Sequence, residues 1–327
     1  MTHTLLVTCG HLMRHYQRFR TEIEGHGIQV SIPPVDGQQL DSAEMEKVIV
    51  GQRLVIAGDD IIGRPVLEAG KATGLEAIIK WGIGTDGIDK AAAAELGIAV
   101  YNTPGVFSEE VADCAAAYVV NLARGLHRMS ASVWSGGWLK VEGTSLSRCT
   151  AGVIGLGGIG RATCRRLAAF GMTVIGYDPA EIDPALMQRE GAAQVSLDRL
   201  LADSDFIVVT CALTPESFHL LSTDAFARMK DGVRIVNVAR GPIIDEPALV
   251  AALESGKVAT AALDVFETEP LPMDSPLRKF DHLMFGTHNG SNTAEAVDRV
   301  NRLTVDLALD LFGLSGQPPR LVPLVAA

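Results

Sequence analysis

Short apolar runs alternate with amphipathic segments along almost the whole chain. Thr4–Thr8, Ile28–Ile32, Arg53–Ala57, Glu76–Lys80 and Ile98–Tyr101 read as strands, and His11–Gly25, Ser42–Val50, Pro65–Ala72 and Lys90–Leu96 read as the helices between them. The same rhythm returns later. Strands are predicted at Ala151–Ile154, Met172–Tyr177, Phe206–Thr210, Val233–Val238, Val258–Val265 and His282–Phe285. Helices are predicted at Leu197–Ala202, from the Ser222 cap to the stop at Asp231-Gly232, and from Asp245 through Glu254. Near-continuous apolar strands separated by helices imply an α/β fold, with parallel sheets covered on both faces.

Two segments interrupt the rhythm and divide the chain. Asn102-Thr103-Pro104-Gly105 is a break, followed by a long alanine-rich helix, Ser108–Leu126, with Ser108 as its N-cap and Glu109-Glu110 in its first turn. Trp134–Thr150 reads as irregular loop. A last long helix, Thr293–Phe312, comes after the second series of strands is complete. It is expected to cross back onto the first domain, making residues 1–101 and 291–327 one discontinuous domain and 102–290 the other.

The stretch AGVIGLGGIGRATCRRLAAFGMTVIGYD, Ala151 to Asp178, carries the first chemical signal. It orders strand, G-x-G-x-x-G turn, helix, strand and acid as a dinucleotide site requires, the Rossmann pattern. Gly155 permits the tight turn, Gly157 lets the backbone approach a pyrophosphate, and Gly160 lets helix and sheet pack closely. The helix N-terminus then offers N–H groups to phosphates. Asp178 is suited to the adenosine ribose hydroxyls. Its charge would repel a 2′-phosphate, so NAD is expected over NADP. The same glycine spacing recurs at Gly82, Gly84 and Gly87, but the strand after that copy ends at Asn102 rather than an acid. That copy is read as a loop of a second α/β unit, and the later copy as the nucleotide site.

Composition narrows the partners. A net charge of −11 argues against nucleic acid. The start MTHTLLVTCG has no basic n-region or long apolar core, and no apolar run reaches membrane-spanning length. The five cysteines form no C-x-x-C pair and no metal-ligand spacing. A cytoplasmic protein with reduced thiols and no metal is expected.

Three polar residues lie just beyond predicted strand ends: Arg240 in VNVARGPIID, Glu269 in LDVFETEP and His288 in FGTHNGSNT. Ligands in open α/β sheets bind at that edge. A guanidinium can hold a 2-keto acid, and an imidazolium supported by a carboxylate can protonate its carbonyl oxygen as hydride arrives. Glu267 is the rival for the carboxylate role.

With GLGGIG, YDP, VARGPIIDEPAL, LDVFETEP and the His288 segment in this order, the chain resembles the D-isomer-specific 2-hydroxyacid dehydrogenase family, whose members include phosphoglycerate dehydrogenases. The resemblance covers almost the whole chain. It implies two Rossmann-like domains with the active site in the cleft between them. Arg240 would bind substrate, Glu269 would partner the histidine and His288 would be general acid/base. It further implies that Gly158, Ile159, Val238, Ala239 and Asp264 line the NAD site, with Asp264 near the carboxamide and Thr214 near the adenosine. Backbone amides of Gly82, Ile83 and Gly84 would meet the substrate carboxylate. A homodimer through the helix after NTPG and the loop containing Trp138 is implied as well.

Departures from the family pattern bear on the substrate. Ala57 and Lys80 stand where phosphoglycerate dehydrogenases tend to carry arginines, and Asn289 replaces an apolar residue. With no regulatory domain expected after residue 327, the short form is implied. The resemblance implies a phosphoglycerate dehydrogenase-like NAD-dependent D-2-hydroxyacid dehydrogenase. The alternatives are a glyoxylate or hydroxypyruvate reductase and an NAD-sensing, corepressor-like binding protein. His11, Arg14, Arg64, Lys80 and Ile83 are candidate determinants of the substrate's side chain.

Overall fold

The computed structural model describes residues 2–35 and 39–326. The chain forms two compact units, Met1–Val106 with Thr293–Ala327, and Phe107–Asn292.

The first unit is built on β1 (Thr4–Val7), β2 (Gln29–Ser31), β3 (Leu54–Ala57), β4 (Ala77–Lys80) and β5 (Ala99–Tyr101). All pairings are parallel, in the order β2-β1-β3-β4-β5. The direction of winding reverses between β1 and β3, which opens a crevice at their C-terminal ends. The helices are α1 (Gly10–His15), α2 (Arg20–Gly25), α3 (Ser42–Val48), α4 (Arg64–Ala72) and α5 (Lys90–Glu95). The single helix expected over His11–Gly25 is broken by a 3-10 turn at Tyr16–Arg18. Leu12, Tyr16, Phe19 and Ile23 are buried along the broken segment, so the apolar face persists where the helix does not. Met45, Ile49, Val55, Val66 and Ile78 are among the residues that fill one face of the sheet.

The second unit opens with α6 (Ser108–Arg124) and α7 (Leu126–Trp134). The expected uninterrupted helix through Leu126 is split at Gly125, which takes φ +63° and has Val141 where a Cβ would lie. Phe107, not Ser108, is the N-cap, and Ser108 is already helical. There follow β6 (Thr150–Ile154), α8 (Gly158–Ala169), β7 (Thr173–Tyr177), α9 (Pro184–Arg189), β8 (Ala193–Gln194), α10 (Leu197–Asp203), β9 (Phe206–Val209), α11 (Thr223–Arg228), β10 (Val233–Asn237), α12 (Glu246–Glu254), β11 (Val258–Leu263) and β12 (Met284–Phe285). Seven parallel strands run in the order β12-β11-β10-β9-β6-β7-β8. The winding reverses between β6 and β9, the position of a dinucleotide crevice.

The last helix, α13 (Ala294–Leu311), belongs to the first unit. Thr293 caps it through its side chain. Asn301, fully buried on this helix, accepts a 2.8 Å hydrogen bond from the Trp81 indole, and Arg302 pairs with Glu22.

Candidate active site

The glycine loop leaves β6 at the reversal of the second sheet. Gly155 has φ +94°, and a Cβ there would lie 2.6 Å from Cys211 Cα. At Gly160 a Cβ would run into the Gly155 carbonyl oxygen, so helix and turn meet at backbone distance. Gly157 differs from both. Nothing in the protein lies within 4 Å of where its Cβ would be. It is the N-cap of α8 and supplies no side-chain cap, so the open side of the turn faces the first N–H groups of the helix. Gly158 is exposed and Ile159 half-buried beside it.

Asp178 sits one residue past β7 with its carboxylate turned back on this loop. One oxygen accepts from Leu156 N at 2.8 Å and the other from Ala180 N at 3.0 Å. The acid is thereby fixed beside the turn with acceptor capacity left on each oxygen. An uncapped helix start, a glycine with free space and a positioned acid together fit the diphosphate and ribose of NAD. Thr214 is exposed in the loop after β9, its N–H held by Ser217 Oγ at 2.8 Å. Val238 and Ala239 are buried just beyond β10.

Three neighbouring parallel strands deliver the polar residues. Arg240 follows β10, Glu269 follows β11 and His288 follows β12, all at the C-terminal edge. Glu269 and His288 meet, with Nδ1 of the ring 2.8 Å from Glu269 Oε2. The other Glu269 oxygen accepts from Phe266 N at 2.9 Å, which fixes the carboxylate. An ionised carboxylate only accepts, so Nδ1 carries the proton, and proton exchange with a ligand would go through Nε2. Glu267 is committed elsewhere, to His219 and to the N–H of Glu246. Arg240 donates from Nη1 to the Ala239 carbonyl at 2.7 Å, while its own carbonyl accepts from Asn237. A Cβ at Gly241 would collide with the Phe266 backbone, so the Arg240 and Glu269 loops are packed backbone to backbone.

Asp264 is buried. Its carboxylate accepts from Tyr118 Oη at 3.0 Å, Asn289 N at 3.3 Å and Gly290 N at 2.9 Å. The Tyr118 link was invisible in the sequence, where one aromatic in an alanine-rich helix reads as packing.

The first unit holds its own polar cluster at the ends of β1, β3 and β4. Gly82 has φ +116° and exchanges hydrogen bonds with Thr103, and the Ile83 carbonyl accepts from Asn102, so the Gly82–Gly84 segment is held from below. Lys80 is buried and donates to Asp59 Oδ1 at 3.0 Å and to the Trp81 carbonyl at 2.8 Å. Asp60, also buried, accepts from Thr8, Gly58 N and Leu40 N. His11 stacks on Trp81 with centroids 4.4 Å apart and takes a hydrogen bond from Arg14. Burial first, then the Arg14 charge, pushes the His11 pKa down to about 4. Asp59 was not singled out from the sequence. Arg64 is tied to Glu95. Among the described residues, no cluster of three His, Cys, Asp or Glu side chains is arranged to hold a metal, and no helix is long and apolar enough to cross a membrane.

The chain is similar to known proteins over most of its length. Residues 116–290 match the family described as D-isomer specific 2-hydroxyacid dehydrogenase, NAD binding domain. A hydroxypyruvate reductase from Thermotoga maritima is 41% identical over 286 residues, which is 86% of this chain and 91% of that protein. A D-3-phosphoglycerate dehydrogenase from Methanocaldococcus jannaschii is 40% identical over 255 residues, 77% of this chain but only 48% of that protein. The chain thus spans about half the length of the phosphoglycerate dehydrogenase it matches. The crystal structure of a D-lactate dehydrogenase from Aquifex aeolicus, complexed with NAD and lactic acid, superposes with a TM-score of 0.82 at 26% identity over 96% of each chain. The chain belongs to the D-isomer specific 2-hydroxyacid dehydrogenase family. It is an NAD-dependent oxidoreductase of 2-hydroxy acids, and its second unit carries the NAD-binding domain.

Proposed function

We propose that this enzyme interconverts a small, unphosphorylated D-2-hydroxy acid and its 2-keto acid, with Arg240, Glu269 and His288 as the active residues. The observation that carries the assignment is the His288–Glu269 pair at 2.8 Å on the edge that follows β10, β11 and β12. Bound NAD(H) supplies or accepts the hydride. Arg240 holds the keto acid through its guanidinium. His288 gives a proton from Nε2 to the carbonyl oxygen, and Glu269 stabilises the imidazolium before transfer and keeps the ring oriented. In the oxidative direction the neutral ring takes the hydroxyl proton. Gly82, Ile83 and Gly84 hold the carboxylate through main-chain N–H groups. Gly155, Gly157, Gly158, Ile159, Gly160, Asp178, Thr214, Val238, Ala239 and Asp264 line the cofactor site. His288→Ala is expected to lower kcat by about 10²- to 10⁴-fold while leaving NADH affinity within about twofold. Loss of NADH binding with chemistry preserved would count against the role. An NADH absorbance assay that stays flat across a panel of 2-keto acids would favour the cofactor-sensing reading instead.

The Lys80–Asp59 pair favours hydroxypyruvate or glyoxylate over a phosphorylated substrate. The substrate's side chain is expected beside the Gly82–Gly84 segment. There the buried cation is already matched by Asp59, and Asp60 adds a second carboxylate at the same strand end. A phosphate dianion would have to compete with both. Asp59→Asn should raise kcat/KM for phosphohydroxypyruvate relative to hydroxypyruvate by about tenfold. An unchanged ratio removes the argument.

A homodimer is part of this proposal. Trp134 and Trp138 are 89% and 80% exposed, with Leu126, Val133 and Leu139 also exposed on α7 and the loop after it, an apolar surface that a second copy would cover. A cytoplasmic location suits its five unpaired cysteines.

A further inference from the structure

We propose that Tyr118 is a positioning residue for His288, acting through the Asp264 carboxylate. The inference rests on the reading of His288 as general acid/base and adds a residue on a helix remote in sequence from every strand-end motif.

His288 adopts φ +53°, one of two non-glycine residues in the left-handed region among those described. For a histidine that conformation is uncommon and is held by its surroundings. Asp264 supplies the hold. Its carbonyl accepts the His288 N–H at 2.7 Å, and its carboxylate accepts the N–H groups of Asn289 and Gly290. Three successive main-chain donors, starting at the histidine, therefore end on one acidic residue. Glu269 fixes the ring at Nδ1, and Asp264 fixes the backbone that carries it.

The carboxylate doing this is only 2% exposed, so its charge depends on donors from the protein. Tyr118 provides a hydroxyl at 3.0 Å to Oδ1, the oxygen whose other donor, Asn289 N, is the longest of the set at 3.3 Å. Burial, together with the Asp264 charge, raises the phenol pKa well above its ordinary value, so the hydroxyl stays a donor at any working pH. Gly286 makes room for the arrangement, because a Cβ at that position would collide with both Asp264 Oδ1 and the Tyr118 hydroxyl. Three donors also leave about one of the four acceptor lobes of Asp264 for a bound nicotinamide amide. Tyr118 thus helps hold the carboxylate on the histidine loop.

Tyr118→Phe keeps the ring in its packing and removes only the hydroxyl. The expected result is a fall in kcat of about 5- to 50-fold, with KM for the keto acid and NADH affinity within about twofold, and a displaced histidine limb in the pH profile of kcat. A kcat within twofold of wild type on an unmoved pH profile would overturn the inference. So would a parallel loss of kcat, NADH affinity and Tm, since that is general loosening. The ring resonances of His288, assigned by comparison with His288→Gln, give a readout free of turnover. They should shift or split in Tyr118→Phe, and unaltered resonances and titration would overturn the inference. If wild type consumes no 2-keto acid, the catalytic reading fails on its own, and the resonances still decide whether Tyr118 positions the ring.

Discussion

Two loops in this protein share the spelling Gly-x-Gly-x-x-Gly and do different work. The first, Gly82–Gly87, leaves β4, and its helix α5 begins only at Lys90. Asp89 caps that helix, its carboxylate accepting from Ala92 N at 2.9 Å, so a negative group already occupies the N-terminus. The loop itself is stitched down, with Gly82 bonded to Thr103 and the Gly87 carbonyl taking the Ile62 N–H. The second loop enters α8 at once, at Gly158, with a cap that offers no side chain and open space over Gly157. An anion site therefore depends less on the glycine count than on where the helix starts and what caps it.

The contrast can be broken first at Gly157. Its φ of −64° suits any residue and nothing occupies its Cβ position, so Gly157→Val should fold, losing about 1 kcal/mol or less through the poorer N-cap. NADH affinity should fall by at least about tenfold, about 1.4 kcal/mol, by fluorescence titration. Unaltered affinity would mean that the open space is not a pyrophosphate seat. The mirror experiment is Asp89→Ala. It should cost about 1 kcal/mol of stability in urea unfolding and leave NADH affinity where it was. A change in NADH affinity there would erase the distinction between the loops.

The smallest effect sharpens the first loop's surroundings. His11, stacked on the Trp81 that leads into Gly82, has its pKa pushed down to about 4 from 6.5. The folded state thus favours the neutral ring. Below about pH 6.5 the unfolded chain binds the extra proton first, so stability falls as pH drops toward 4 and the His11 contribution levels off below that. The ring is partly solvated, so the loss is about 1 kcal/mol or less, not the full shift. His11→Gln should flatten that part of the stability curve in urea titrations, and an unchanged slope would show that another group causes it.

Much of this was legible in the sequence because it is local or periodic. Apolar runs marked the long strands, the glycine spacing marked the turn into α8, and Asp178 and His288 followed from strand ends. Glu269 was preferred over Glu267 through the family resemblance alone, and in three dimensions Glu267 turns to His219. The two-residue strand β8 is too short to show a period, and α9 passed unassigned despite Asp183 capping before Pro184. Gly125 looked like one more small residue in a helix until its positive φ showed a break. Asp59 on Lys80 and Tyr118 on Asp264 escaped because nothing in a linear pattern pairs side chains from separate elements.

The hydrogen bond from Trp81 to Asn301 spans 220 positions, and it ties α13 to the sheet that the N-terminal segment begins. During synthesis that segment leaves the ribosome before the second unit and yet is completed after it. Its indole waits without Asn301 until α13 has emerged. The second unit, contiguous in the message, lacks nothing and can collapse while the first is unfinished. The nascent chain can therefore acquire its dinucleotide fold before its other half is closed.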